Sequence, residues 1–153
     1  EEFKPFVQTE GASILVLSTD VGAAFPFVNE VSGTWASRFP AQWLIPGAHN
    51  RLNSKVCKDP KEACERELQI LDYARTAIID DIEKFRPDLI LVEESEYKPF
   101  FADRDFDYIR FLSEDPGFPG FQGSYRRIGS RQGFGVFVRG EKRPRGDDLA
   151  SES

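Results

Sequence analysis

Arg86-Pro87-Asp88-Leu89-Ile90-Leu91-Val92-Glu93-Glu94 follows directly on a long amphipathic helix pattern, and its reading decides the fold. Pro87 stops the helix. Leu89 to Val92 form an unbroken apolar run, as in a parallel strand with both faces covered, and Glu93 and Glu94 close it. Helix, stop, buried strand and carboxylates are the end of one βαβ turn of an α/β sheet. Ligands of such sheets bind beyond the carboxyl ends of the strands, so Glu93 and Glu94 stand where a site belongs.

Working outward, the helix is the clearest element. Cys64, Leu68, Leu71, Ala74, Ile78, Ile82 and Phe85 recur at spacings of three and four within 60–85, with charged residues opposite. Upstream, Ser13-Ile14-Leu15-Val16-Leu17-Ser18 is a first buried strand that ends in Thr19-Asp20. Residues 2–9 read as the end of a helix or a lead-in. In 21–48, three prolines and five aromatics speak against a long regular helix, so a strand near 30–36 and a short helix near 40–46 are expected there. Downstream, 104–113 has helical spacing and Pro116, Gly117, Pro119 and Gly120 end it. Tyr125–Gly129 and Phe134–Val138 flank Ser130-Arg131-Gln132-Gly133 as a terminal hairpin. The expected fold is a three-layer α/β sandwich, β-α-β-α-β-α-β-β, with a mostly parallel, Rossmann-like sheet and a C-terminal antiparallel hairpin. One domain spans 1–139, and 140–153 read as a polar mobile tail.

Composition narrows the function classes. The 153 residues suit one core, and a net charge of −6 disfavours nucleic acid as a partner. No stretch reaches the roughly 20 apolar residues of a membrane span. There is no signal-peptide pattern and no Met, which reads as a piece of a longer chain. Cys57 and Cys64 bracket a helix start in which Asp59 caps, Pro60 takes the first position and Glu62 completes a capping box. The two cysteines are either a disulfide that staples the incoming loop, as in an oxidising compartment, or two free thiols. With one His and no further Cys, a zinc site is not expected, and no cofactor motif is present.

Candidate sites are two. Asp20 follows the first strand and Glu93 and Glu94 the third. On neighbouring strands these carboxylates converge on one rim, with Glu96 nearby, and suit a divalent cation, sugar hydroxyls or acid–base work. Solvated loop carboxylates and helix caps are the plainer reading. Trp35, Arg38, Trp43 and His49 form the other cluster, fit to stack a sugar or grip an anion. Against that, the two Trp fit a core or lid role, with Arg38 paired to a carboxylate such as Glu30. Tyr97-Lys98-Pro99-Phe100-Phe101 is an aromatic run suited to a membrane interface, a partner or plain loop packing. Arg126 and Arg127 straddle a strand, and the inward one calls for a carboxylate from 104–113. Gly129–Gly135 lies between strands, so it is a turn and not a phosphate loop.

Phe25-Pro26-Phe27-Val28-Asn29, Trp35-Ala36-Ser37-Arg38-Phe39-Pro40, Trp43-Leu44-Ile45-Pro46 and Arg86–Val92 together resemble the soluble C-terminal portion of uncharacterised bacterial polytopic membrane proteins. Those are similar to membrane glycosyltransferases of the protein mannosyltransferase and aminoarabinose transferase type. The resemblance covers most of 12–139. It implies a periplasmic or extracytoplasmic domain beside the transmembrane portion of its own parent chain, with a carbohydrate or lipid-linked sugar as ligand. The essential acidic residues of that superfamily lie in membrane-proximal loops outside this chain, so no catalytic residue carries over. The expectation is an accessory, non-catalytic domain with Trp35, Arg38 and Trp43 as contact surface. Its alternatives are an autonomous small enzyme or a metal-binding domain using the carboxylate rim, and a protein-interaction module.

Overall fold

The computed structural model describes residues 3–7, 10–54, 57, 61–102 and 105–140. Asp59-Pro60 and residues 141–153 of the expected tail lie outside them, as do the side chains of 61–63. A 3-10 turn, Lys4–Phe6, opens the chain. Then follow β1 (Ser13–Leu17), α1 (Val21–Glu30), β2 (Thr34–Trp35), α2 (Leu44–Leu52), α3 (Lys61–Phe85), β3 (Leu89–Glu93), α4 (Tyr108–Ser113), α5 (Phe118–Ser124), β4 (Tyr125–Arg131) and β5 (Phe134–Arg139).

The five strands form one mixed sheet in the order β2-β1-β3-β5-β4. β1 pairs in parallel with β2 and β3, and β5 pairs antiparallel with β3 and β4. The sheet is therefore not mostly parallel. The terminal hairpin does not append to an edge: β5 inserts beside β3, and two of the four pairings become antiparallel. The hairpin turns on Gln132 and Gly133, both at positive φ (49° and 80°). That is what a two-residue type I′ turn requires, and it explains a glycine at 133.

Strand alternation divides the core in two. Leu15, Leu17, Ile90, Val92 and Phe137 face α2 to α5. Ile14, Val16, Leu89, Leu91 and Val136 face α1 and the N-terminal turn, where Phe3 and Phe27 pack edge to face. Three layers result, and β3 is buried along all five residues, as its apolar run anticipates.

Two helices form where breakers argued against them. α1 carries Pro26 inside it, at the loss of one hydrogen bond to the turn below. The ring sits on the exposed side while Ala24, Phe27 and Val28 are buried. α5 begins at Phe118-Pro119, where a proline in the first turn costs no intrahelical bond, and buries Phe118 and Phe121. α2 starts later than expected, with Pro46 again in the first turn. At the foot of the sheet, Asp88 accepts from Ser13 N at 2.9 Å and from Arg139 Nη2 at 2.6 Å, which ties β1, β3 and β5 together. Arg127 is exposed and grips no carboxylate of 104–113; its partner is Glu94.

Candidate functional site

The chain leaves β1 for β2 with α1 on one face, and returns to β3 with α3 on the other. The carboxyl ends of β1 and β3 are thus adjacent at the point where the winding reverses, the place in an open α/β sheet where a crevice opens.

Glu93 closes β3 in that crevice and is only 8% exposed. Its Oε2 accepts from Ser18 Oγ, at the end of β1, at 2.8 Å. Ser18 Oγ in turn accepts from Asp20 N at 3.0 Å. Lys98 is buried, donates to Ser95 O at 2.7 Å, and its charge acts on Glu93. Burial pushes the Glu93 carboxyl above the usual range, while Ser18, Lys98 and Ser95 oppose the shift. Thr19 Oγ1 donates to Pro99 O at 2.8 Å and closes the β1 loop onto the β3 loop.

Tyr108 opens α4. It is 1% exposed, yet its hydroxyl has no hydrogen-bond partner among the described residues. Burial raises its pKa, and the Glu93 charge raises it further. Glu93 and Tyr108 line one cleft of about 570 Å³ bounded by β3, β5, β4 and α4; its wall includes Lys98, Glu96 and Arg110 and the apolar Val92, Phe106, Ile109 and Phe137, and no residue of β1. That volume suits a small molecule. A smaller hollow of about 310 Å³ lies between α3 and α5; its Arg139 is committed to Asp88.

The remaining rim residues have local employment. Asp20 caps α1, accepting from Gly22 N at 2.8 Å, though its charge reaches Glu93. Glu94 lies across Gly135, where an added Cβ would stand 2.1 Å from Oε1, and binds Arg127 through both oxygens at 3.0 and 2.7 Å. Among the described residues no group of three or more His, Cys, Asp or Glu is placed to hold a metal ion.

The aromatic cluster does not gather into one pocket. Trp35 packs on Phe25, with centroids 5.0 Å apart, and its Nε1 donates to Phe39 O. Arg38 binds Asp81 through its backbone N at 2.8 Å and Nε at 2.9 Å, so its carboxylate is Asp81 of α3 and not Glu30. His49 stacks edge-on against Phe101 and Phe106. Trp43 alone of the three expected contact residues is largely free to solvent, at 58%. Cys57 and Cys64 are free thiols, and Cys64 Sγ donates to the Cys57 carbonyl at 2.8 Å. The hydrogen bond with Cys57, ahead of burial, pushes the Cys64 thiol up to about 11.

The aromatic run past β3 splits. Phe101 is buried and stacks on Phe106 at 4.4 Å, while Tyr97 and Phe100 project, more than 70% exposed. Phe100 holds a positive φ of 70°, strained for a bulky residue. Asn50 of α2 pins it, donating to Phe100 O at 2.8 Å and accepting from Ala102 N at 2.9 Å.

Ser18, Lys98 and Tyr108 were not legible as site residues. Each sat inside a pattern explained otherwise: a strand end, an aromatic run, a helix face. Comparisons of the chain with protein-family models, with curated proteins and with solved structures found no match.

Proposed function

We propose that this domain is a recognition module that binds a small molecule in the cleft bounded by the end of β3, β5, β4 and α4, and performs no turnover by itself. One observation carries the reading. A buried carboxylate, Glu93, is held by Ser18 from the end of the neighbouring strand and lines a cleft of ligand size, which a phenol with no hydrogen-bond partner among the described residues also lines. A carboxylate buried for packing alone is a cost; buried charges persist where they are paired and used. The resemblance in sequence supports setting this module beside the transmembrane portion of a larger extracytoplasmic membrane protein, a lipid-linked-sugar glycosyltransferase. No helix among the described residues is long and apolar enough to cross a membrane. The contact surface moves from Trp35, Arg38 and Trp43 to the cleft, because Trp35 Nε1 and Arg38 Nε are already hydrogen-bonded within the fold.

A thermal-shift screen of chemically diverse small molecules tests this. Compounds that raise the melting temperature of the wild-type chain should lose that effect in Glu93→Gln. Stabilisers that act equally on both would place binding elsewhere. Turnover of a sugar donor by this chain without other components would overturn the non-catalytic assignment.

A second reading, an interaction module, is favoured by Tyr97 and Phe100. Holding Phe100 outward at positive φ costs stability and returns no internal packing. If those rings meet a partner or the parent's membrane portion, Tyr97→Ser with Phe100→Ser should leave the fold intact and abolish the association.

A further inference from the structure

β4 forms one edge of the sheet, and among the described residues its sole strand neighbour is β5. Two hydrogen bonds at the foot of the hairpin fix which backbone groups β4 leaves over. Arg139 N donates to Asp88 O, on the β3 side, and Gly140 N donates to Ser124 O, on the β4 side. Alternation along an antiparallel strand then turns Phe134, Val136 and Val138 towards β4, where they meet Arg131, Gly129 and Arg126. Tyr125, Arg127 and Ser130 are left with N–H and C=O directed away from β5. Such a row is a template for one more strand.

The side chains select that strand. Tyr125–Arg131 carries three arginines and no carboxylate, in a chain of net charge −6. All three arginines are exposed. Arg126 and Arg131 stand opposite Val138 and Phe134, so they share the α1 face of the sheet. Arg126 has no partner among the described residues. Arg131 touches the Phe6 ring and its own neighbour's carbonyl, Ser130 O, but no carboxylate among those residues. Arg127 lies on the other face, bound to Glu94. Ile128 is the extra residue of a bulge between Arg127 and Gly129, and the bulge sets a spacing. Arg126 and Arg131 align with Val138 and Phe134, which are four positions apart on β5. A straight incoming strand therefore meets both arginines with carboxylates at i and i+4, which fall on one of its faces.

A second copy does not fit. Antiparallel pairing of β4 with itself brings Arg126 beside the partner's Arg131, and like charges directly opposite destabilise a ladder. Arginines and a bulge are ways in which an edge avoids its own kind, and they leave an acidic strand admissible.

We propose that β4 is a docking edge for an extended acidic segment of another polypeptide, its carboxylates four residues apart on Arg126 and Arg131. The edge is separate from the cleft, which neither of these arginines lines.

The test is amide chemical-shift mapping of the 153-residue chain during titration with a capped heptapeptide. The peptide consists of valine and threonine, with glutamate at its second and sixth positions; versions with glutamine or lysine there run beside it. The glutamate peptide should bind and shift the amides of Tyr125, Arg127 and Ser130. Arg126→Gln with Arg131→Gln should weaken that binding about fivefold, the worth of two exposed ion pairs. The double variant should melt with the wild type, since neither side chain is buried, so lost binding cannot be charged to misfolding. Equal binding of the glutamine or lysine peptide overturns the acidic class. Undiminished binding in the double variant overturns the arginine seats. Shifts at those amides that grow with protein concentration in the absence of peptide mean that the edge pairs with its own copy, and overturn the choice of occupant. Silence at those amides with every peptide means that the edge is only blunted and overturns the proposal, while the small-molecule reading of the cleft stands.

Discussion

Asn50 holds Phe100 by the backbone on both sides of its carbonyl, through Nδ2 to Phe100 O and Oδ1 from Ala102 N. One amide side chain thus pays for a left-handed phenylalanine. Phe100→Gly removes the strain and a ring that is already exposed, so its stability should fall within about 0.5 kcal/mol of wild type or above it. Asn50→Ala should cost about 1–2 kcal/mol, since it leaves the loop's carbonyl and N–H to find other partners. Urea unfolding of both variants checks this. A large loss in Phe100→Gly would show that the ring packs.

Gly135 should show opposite effects in two backgrounds. A Cβ there meets Glu94, which lies across it to reach Arg127. Gly135→Ala therefore pushes Glu94 off its partner and should destabilise by roughly 1 kcal/mol, the upper end for a partly exposed ion pair. With Glu94→Ala already present the obstacle is gone, and alanine in a strand should stabilise by about 0.5 kcal/mol. A double-mutant cycle by urea denaturation measures this. Equal effects in both backgrounds would mean that Glu94 is not the obstacle.

Glu93 should leave a mark on the pH dependence of stability. Its folded pKa is raised by burial, so between the ordinary value of 4.5 and the raised one the folded state holds a proton that the unfolded state has lost. In that window the unfolded chain binds fewer protons, and stability falls as pH rises. Conversely, acidification from neutrality through the raised pKa should strengthen the fold until the ordinary value is reached. Glu93→Gln should remove this component and flatten the slope above pH 4.5, whatever its effect on absolute stability. Parallel wild-type and variant profiles would show that Glu93 titrates normally.

Asp81 is a structural carboxylate and should behave as one. It is 2% exposed and takes the backbone N and Nε of Arg38, with Ser37 Oγ at 3.3 Å. Asp81→Ala should cost about 2 kcal/mol, because it strands the Arg38 backbone donor, while Ser37→Ala should cost under about 1 kcal/mol. Circular-dichroism melts of the two variants give the ranking, and its reversal would shift the anchor of this loop to Ser37.

How far the sequence carried this fold differs by element. The period of 60–85 and the run Leu89–Val92 announced α3 and β3 because burial there is one-sided in the helix and complete in the strand. The hairpin was visible through Gln132-Gly133. Its place was not: pairing order depends on contacts 41 to 49 residues apart, between Leu89–Glu93 and Phe134–Val138, which no local pattern encodes. α1 and α5 were hidden by prolines that the helices tolerate, one on an exposed face and one in a first turn. At the site, Glu93 could be anticipated from its place after a strand. Tyr108 could not, because an unpaired phenol is a property of its surroundings and not of its spacing. The pairing of Arg38 with Asp81 was equally out of reach, since 43 residues separate them.

The sheet's interior is completed by the last of the five strands among the described residues. β5 fills the position between β3 and β4, so β3 gains its second neighbour only when residues 134–139 are in place. A chain still emerging from the ribosome, with α3 and β3 made and the hairpin not yet synthesised, presents Leu89-Ile90-Leu91-Val92 as an open, wholly apolar edge. Such an edge pairs readily with a neighbouring nascent copy.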